Sequence, residues 1–188
     1  MVATTSLKWL NQNQKFITMN KRLEFLHRRN KGKQRIEQYE AILVNSGFNK
    51  LELEFIELEK SDEIVEQSKS KFTNVGRETE LLDKESLFID SDLMRSIYLN
   101  LDKNSTCYIF TDDVQYCGMF IVNAKRGFEI AFNVAKNDSQ NSCFLFDTDL
   151  EYSFLINYND EKDSNGFCSY DIQLWKILPQ NMMQAEQS

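Results

Sequence analysis

A chain of 188 residues is long enough for one domain with a buried core, and its 41% hydrophobic residues are an ordinary share for a globular protein. One Pro and six Gly argue against a flexible linker, and no apolar run is as long as a membrane span. The charge is uneven: residues 1–50 hold ten Lys and Arg against three Glu, whereas residues 51–188 hold twelve against twenty-six Asp and Glu.

The first 47 residues are predicted to form a helical layer. Apolar side chains recur at positions 16, 19, 23 and 26, a spacing that places them on one face of a helix from Leu7 to Asn30. Asn30 and Gly32 are expected to end this helix. A second helix is predicted over Lys33–Asn45, with Gly47 as its C-terminal cap.

Residues 48–103 are predicted to contain an edge strand followed by a helical insertion. The strand covers Leu51–Glu59, where apolar residues alternate with Glu, and a bulge would keep all four Glu on the wet face. A short helix is expected over Ser61–Phe72. Residues 73–90 show no clear period, and Ser91 is predicted to cap another short helix.

Residues 104–178 hold six apolar-rich runs separated by short polar breaks, a pattern typical of strands. The run Gly127–Ala135 alternates cleanly, and the run Gln115–Asn123 is apolar on both faces, which suggests a central strand covered on both sides. Because short links cannot return a strand in parallel, the runs are predicted to form an antiparallel meander. The runs are Thr106–Thr111, Gln115–Asn123, Gly127–Ala135, Cys143–Phe146, Leu150–Tyr158 and Phe167–Leu178.

These elements predict an α+β fold in a single domain, residues 1–188. N-terminal helices pack on an antiparallel meander sheet of about six to seven strands. The polar tail, residues 179–188, is expected to be flexible.

The four cysteines lie in strand-like runs and form no CxxC pair. With Asp112-Asp113 as a two-residue turn, Cys107 and Cys117 point to opposite faces; a three-residue turn would put them opposite each other. Buried reduced thiols, a reducing compartment and a cytoplasmic location are the simplest interpretation.

No arrangement of residues predicts catalysis or a metal or cofactor site. The single histidine, His27, lies in a basic helix end without a nucleophile system around it. Asp147-Thr148-Asp149 resembles the metal-binding Asp-x-Asp of nucleotide-sugar glycosyltransferases, but a hairpin turn explains it better. The loop 161–166 starts like a calcium loop, yet its twelfth position is Ile172 rather than Glu.

The basic segment between Lys21 and Arg35 is the best candidate for nucleic-acid binding, with seven Lys and Arg. The segment lacks stacking aromatic residues interleaved with these bases, and the acidic remainder of the chain would repel a polyanion. A solvated helix face is the preferred interpretation.

The acidic balance favours a non-catalytic binding protein, an inhibitor or immunity-type protein that masks a basic partner such as a toxin or nuclease. One candidate patch lies on the proposed edge strand, and the other surrounds two neighbouring loops of the meander. The candidate residues are Glu52, Glu54, Glu57, Glu59, Asp147, Asp149, Glu151, Asp160, Glu161 and Asp163. The alternatives are a structural or adaptor subunit of a phage or bacterial assembly and an enzyme with scattered carboxylates.

Overall fold

The computed structural model describes residues 3–83, 85–160 and 169–177, and for residues 3–20 it describes only the helical backbone. Five helices and seven strands lie within this part of the chain. The helices are α1 Ala3–Asn45, α2 Leu58–Phe72, α3 Asp92–Tyr98, α4 Val114–Cys117 and α5 Ala124–Asn137. The strands are β1 Glu54–Ile56, β2 Arg77–Asp83, β3 Thr106–Phe110, β4 Met119–Asn123, β5 Ser142–Asp147, β6 Tyr152–Asn159 and β7 Ser169–Lys176.

All seven strands form one antiparallel sheet in the order β1-β4-β3-β5-β6-β7-β2, so the predicted α+β class is confirmed. Meander order holds for β5, β6 and β7, which follow one another in chain and sheet. The order breaks after β4, because β4 and β5 both pair with β3 and a helix connects them.

That connecting helix is α5, and it occupies the run predicted as the strand Gly127–Ala135. The strand prediction is wrong because the apolar residues there fit both a period of two and a helical face. Asn123 caps the helix by accepting a hydrogen bond from the amide of Arg126. Gly127 lets α5 approach the sheet, since a Cβ there would lie 2.9 Å from Cys107 Sγ.

The predicted break in the first helix is also wrong, because α1 continues through Asn30 and Gly32 to Asn45. Gly32 allows α1 and α4 to approach closely, because a Cβ at this position would clash with the backbone carbonyl oxygen of Tyr116 on α4. The predicted cap at Gly47 is confirmed, with a φ of +118°.

The sheet is covered on both faces, but unequally. Helices α1, α3 and α5 cover one face, where Phe128, Phe154, Ile109 and other side chains form the larger buried cluster. Helix α2 covers the second face, where Ile64, Phe110 and Met119 belong to a smaller cluster. Strand β4 contributes to both clusters, so the predicted cover on both sides is confirmed. The strand is not central, however, because it lies beside the edge strand β1.

Strand β2 was missed by the sequence analysis, although it pairs with β7 along its whole length. Its sequence is polar and mostly exposed, and its partner lies about 90 residues later in the chain. The other elements of the region follow the prediction more closely. The predicted strand Leu51–Glu59 is an edge strand only over Glu54–Ile56, because residues 50–52 form a 3-10 turn and α2 begins at Leu58. As predicted, α2 ends at Phe72, and Ser91 caps α3 by accepting a hydrogen bond from the amide of Met94.

The run Gln115–Asn123 is a strand only from Met119 onward, because residues 114–117 form the short helix α4. Cys117 therefore lies on a helix rather than opposite Cys107 in a hairpin. Cys107, Cys117 and Cys143 are free and buried. Cys168 and the tail 179–188 lie outside the described residues.

Candidate functional site

The turn between β5 and β6 carries three of the candidate carboxylates, Asp147, Asp149 and Glu151. It is a hairpin turn, as the sequence predicted for Asp147-Thr148-Asp149. The Leu150 amide donates to the Asp147 carbonyl at 2.9 Å, and the Glu151 amide donates to the Asp147 carboxylate at 3.3 Å. These bonds hold the turn in one shape.

Leu150, at the end of this turn, has a φ of +56°, a conformation that non-glycine residues rarely adopt. Its side chain is 5% exposed and packs into the smaller cluster with Phe110 and Phe146. Burial of this side chain offsets the backbone strain and fixes the turn to the sheet.

The turn forms one wall of a cavity of about 690 Å³ at this end of the sheet. Ile97 and Leu101, at the end of α3 and just after it, supply apolar wall, and Leu150 supplies more. Asp147, Asp149 and Glu151 line the cavity together with the ammonium groups of Lys71 and Lys176. No His or Cys lines the cavity.

Tyr152 also lines this cavity, and it is 6% exposed. Its hydroxyl is buried and has no hydrogen-bond partner in the described part of the chain. Burial raises the pKa of the hydroxyl, and the charges of Asp147 and Glu151 raise it further, so the group stays protonated at neutral pH. An unpaired buried hydroxyl costs roughly 1–3 kcal/mol, so this position is not optimised for stability alone.

The pKa of the Asp147 carboxyl group is shifted by its surroundings in the turn. Burial raises its pKa, and the negative charges of Asp149 and Glu151 add to the effect. Hydrogen bonds from the backbone amides of Glu151 and Asp149 oppose the shift. A nearby cation would therefore favour the ionised form of Asp147 and oppose this shift.

One carboxylate of the proposed edge strand joins this region. Glu54 pairs with Ile121, Ile121 with Tyr108 and Tyr108 with Phe146, so these side chains share a row on the α2 face. Three strand spacings separate Glu54 from Phe146, about 14 Å in all. Asp147 directly follows Phe146, so the two predicted patches meet at one end of the sheet.

The electrostatics of Tyr108 show the same convergence. Burial raises the pKa of its hydroxyl, and the charges of Asp149, Asp147 and Glu54 raise it further. The ammonium of Lys60 opposes them. Three carboxylates from two distant stretches of chain thus act on one half-buried hydroxyl. The sequence analysis did not predict Tyr108 or Tyr152 as site residues, because both lie in apolar-rich runs predicted as strands.

The remaining carboxylates of the edge patch are exposed, as predicted, but they occupy other surroundings. Glu52 accepts the backbone amide of Asn49 in a capping box. Glu57 and Glu59 line a groove of about 230 Å³ between α1 and α2, which Arg29 and Lys33 also line. Nearby cations of the basic helix therefore reduce the attraction of Glu57 and Glu59 for a cationic partner.

Asp160 is not near the β5–β6 turn. It follows β6 at the far end of the strand, about 26 Å from Tyr152 by strand rise. The two loops that the sequence analysis grouped as neighbours therefore lie at opposite ends of β6, since consecutive hairpin links alternate ends. Glu161 and Asp163 lie outside the described residues.

The basic segment of α1 is partly engaged within the molecule. Arg28 forms a bidentate pair with Asp62 at 2.7 and 2.9 Å, and Arg35 pairs with Asp113. Lys31 and Arg35 also lie over the ring of Tyr116. These contacts fit the interpretation that a basic helix packs beside an acidic body. His27 is exposed on this helix.

Comparison with family models, curated proteins and solved structures finds no match to this chain. Among the described residues, no helix has the length and apolarity to span a membrane, and no group of His, Cys, Asp and Glu is arranged to hold a metal ion. The candidate binding site is therefore the acidic end of the sheet, which we define by Glu54, Tyr108, Asp147, Asp149 and Glu151.

Proposed function

We propose that this protein is a non-catalytic binding domain that masks a basic protein partner, as inhibitors and immunity proteins do for toxins and nucleases. The observation that carries the proposal is the strand order, which brings Glu54 on β1 to the same end of the sheet as Asp147 and Asp149 in the β5–β6 turn. Like charges held together destabilise a fold unless a cation approaches them, so their clustering favours a binding role.

The size of the acidic end suits such a role. A standard protein interface covers roughly 800 Å² per partner, which easily includes two carboxylate groups about 14 Å apart. Clustered carboxylates steer a basic partner toward the surface and discourage acidic competitors. The hydrogen-bonded turn and the buried Leu150 also hold the carboxylates in place before binding, which reduces the entropic cost of association.

The cellular location is part of the proposal. Cys107, Cys117 and Cys143 are free and buried, which fits a reducing compartment such as the cytoplasm. Burial raises the pKa of the Cys117 thiol to about 12, so this group is kept as an unreactive thiol.

The test is an affinity capture from the source cell with three forms of the full chain. The first is the wild type, and the second carries Glu54→Lys and Asp149→Lys. The third carries Glu37→Lys and Glu85→Lys, which change the net charge equally at exposed positions. Glu85 follows β2 at the opposite end of the sheet, where Asp83 pairs with Ser169. We expect a basic protein that the wild type and the third form retain and that the second form loses.

The salt dependence of that capture is part of the test. Screening weakens attraction between exposed charges, so retention of the partner should fall steeply between about 50 and 500 mM salt. A partner retained equally by all three forms, or the absence of any basic partner, would contradict the proposed function.

The second candidate function is a structural or adaptor subunit, and strand β2 favours it. This seven-residue strand ends the sheet, pairs with β7 on one side only and carries Leu81 at 74% exposure. Unprotected edge strands can add a strand from another chain. An adaptor predicts self-association or large complexes on a sizing column, and Leu81→Lys should reduce them.

A further inference from the structure

The cavity beside the β5–β6 turn combines features that point to one class of ligand. We propose that it takes the guanidinium group of an arginine side chain presented by the basic partner. The partner's identity as a basic protein rests on the proposed function, but the chemistry of the cavity does not and can be tested separately.

The first observation is the charge of the cavity wall. Three carboxylates, Asp147, Asp149 and Glu151, line it, and all three come from one five-residue turn. Of the two lining ammonium groups, Lys71 donates to the backbone carbonyl of Asp149 at 2.7 Å. The carboxylates therefore outnumber the cations, and a cationic group entering the cavity is attracted by the excess charge.

The second observation, independent of the first, is the hydroxyl of Tyr152. This side chain is more than nine-tenths buried and lines the cavity, and its oxygen has no partner in the described part of the chain. In the β5–β6 register Phe146 lies opposite Ser153, so Asp147 and Tyr152 form the next pair and their side chains share a face of the sheet. A donor that reached both the hydroxyl oxygen and a carboxylate would satisfy it.

The geometry of the wall favours guanidinium over ammonium. Guanidinium is planar, carries five N–H donors in a rigid fork and is more weakly hydrated than ammonium. Part of the cavity wall is apolar, with Ile97, Leu101 and Leu150 among the lining residues. A weakly hydrated, flat cation loses less solvation on such a surface, and its fork can serve a carboxylate and the Tyr152 oxygen together.

The test uses Nα-acetyl-arginine N-methylamide, which mimics an arginine within a peptide, and the full chain labelled for ¹H–¹⁵N NMR. We expect saturable binding with a dissociation constant on the order of 1 mM, a value in keeping with so few contacts. Shifts should concentrate on residues 147–152 and on Lys176. The matching lysine derivative should bind at least about fivefold more weakly, because it lacks the fork.

Two variants separate the cavity from general effects of folding. Tyr152→Phe should weaken the arginine probe about tenfold, because it removes a hydrogen bond to a charged group. Tyr39→Phe is the matched control: its hydroxyl is also buried and has no partner among the described residues, but Tyr39 belongs to α1 and does not line the cavity. It should leave probe binding unchanged.

A third variant gives an effect of opposite sign. Lys176 lies opposite Tyr152 in the β6–β7 register and lines the cavity, so its ammonium competes with an incoming cation. Lys176→Gln should therefore strengthen probe binding by about two- to fivefold. A role of Lys176 that was only structural would not produce tighter binding.

Free L-arginine distinguishes a small-molecule source from a protein source. Its free α-carboxylate and α-ammonium groups do not occur at an arginine within a peptide. If the ligand is a protein side chain, the acetylated amide should bind at least as tightly as free L-arginine. Tighter binding of free arginine would overturn a protein side chain as the ligand. Absence of saturable binding, or equal binding by the Tyr152→Phe form, would overturn the cavity assignment as a whole.

The outcomes distinguish this inference from the proposed function. If the charge-dependent partner is captured but the arginine probe does not bind, the cavity assignment fails and the binding function stands. If the probe binds and no basic partner is captured, the masking function fails while the cavity keeps its guanidinium specificity.

Discussion

The two faces of the sheet differ in how much apolar surface they bury. On the face of α1, α3 and α5, the buried cluster runs from Tyr39 across β3, β5 and β6 to Leu174 on β7. On the face of α2, only a few buried side chains gather around Ile64, Phe110 and Met119. Because stability follows buried apolar area, the first face supplies most of the fold's stability.

The acidic end includes residues from both faces of the sheet. Glu54 and Tyr108 point to the α2 side, in the same row as Phe146. Asp147, the next residue, pairs with Cys107, so its side chain points to the heavily covered face, as Tyr152 does. The comparison teaches that the large buried cluster supplies stability, whereas the carboxylates are grouped by the end of the sheet and not by one face.

The largest expected effect is on the heavily covered face. Phe128 is fully buried between α5 and the sheet and contacts Phe154 edge-on, with ring centroids 5.3 Å apart. Phe128→Ala should lower the free energy of unfolding by about 3–5 kcal/mol through lost burial and the cavity left behind. Urea denaturation measures it, and a loss below about 1 kcal/mol would contradict the assignment of the main core.

A smaller loss is expected on the other face. Ile64 on α2 is 4% exposed and packs into the smaller cluster. Ile64→Ala should lower the free energy of unfolding by about 2–3 kcal/mol, measured in the same urea titration. If this variant proved as costly as Phe128→Ala, the unequal contribution of the two faces to stability would be contradicted.

Next in size is the contact that ties the edge strand β2 to α3. The carboxylate of Glu80 accepts the Ser91 hydroxyl at 2.5 Å and the amides of Asp92 and Leu93 at 3.0 and 3.3 Å. Glu80→Gln should cost about 1–2 kcal/mol, because a neutral amide cannot satisfy all three donors. Glu78→Gln, exposed on the same strand, is the control and should change stability by less than about 0.5 kcal/mol.

The smallest effect is a dependence on pH at the acidic end. The pKa of Asp147 is raised above its usual 3.8 in the folded protein, mainly by burial. As pH rises through 3.8, the unfolded state ionises first, so the wild type loses stability until the folded carboxyl ionises too. Asp147→Asn lacks this loss, so its Tm relative to wild type should rise between about pH 4 and pH 7.

The same variant should weaken the arginine probe, because it removes a carboxylate from the cavity. Gain of stability together with loss of binding would mark Asp147 as a group kept for recognition. A Tm difference that stays constant or falls toward neutral pH would contradict the assigned burial of its charge.

Prediction from sequence succeeded where local signals were strong. Ser91 as a cap, Gly47 as a helix end and the hairpin turn at Asp147-Thr148-Asp149 each depend on neighbouring residues, and each is confirmed. It failed for the run Gly127–Ala135, where alternation and a helical face use the same apolar residues. It also failed at Gly32, where the glycine serves the approach of α4 rather than a helix stop.

For the candidate site, the sequence supplied the carboxylates but not their grouping. Glu54 and Asp147 are about 90 residues apart and meet only because β1, β4, β3 and β5 are adjacent in the sheet. Asp160, by contrast, is close to Asp149 in the chain and far from it in space, at the other end of β6. In both cases the separation of two carboxylates along the chain did not predict their separation in space.

By itself, the sequence determined the α+β class, the edge position of β1, the turns, the caps and the acidic character of residues 51–188, because these depend on local propensity and composition. Only the tertiary structure decided that α5 crosses between β4 and β5, that β2 closes the far edge, and which charges share one end. Those features arise from pairings between distant segments, and no local pattern of residues specifies a distant partner.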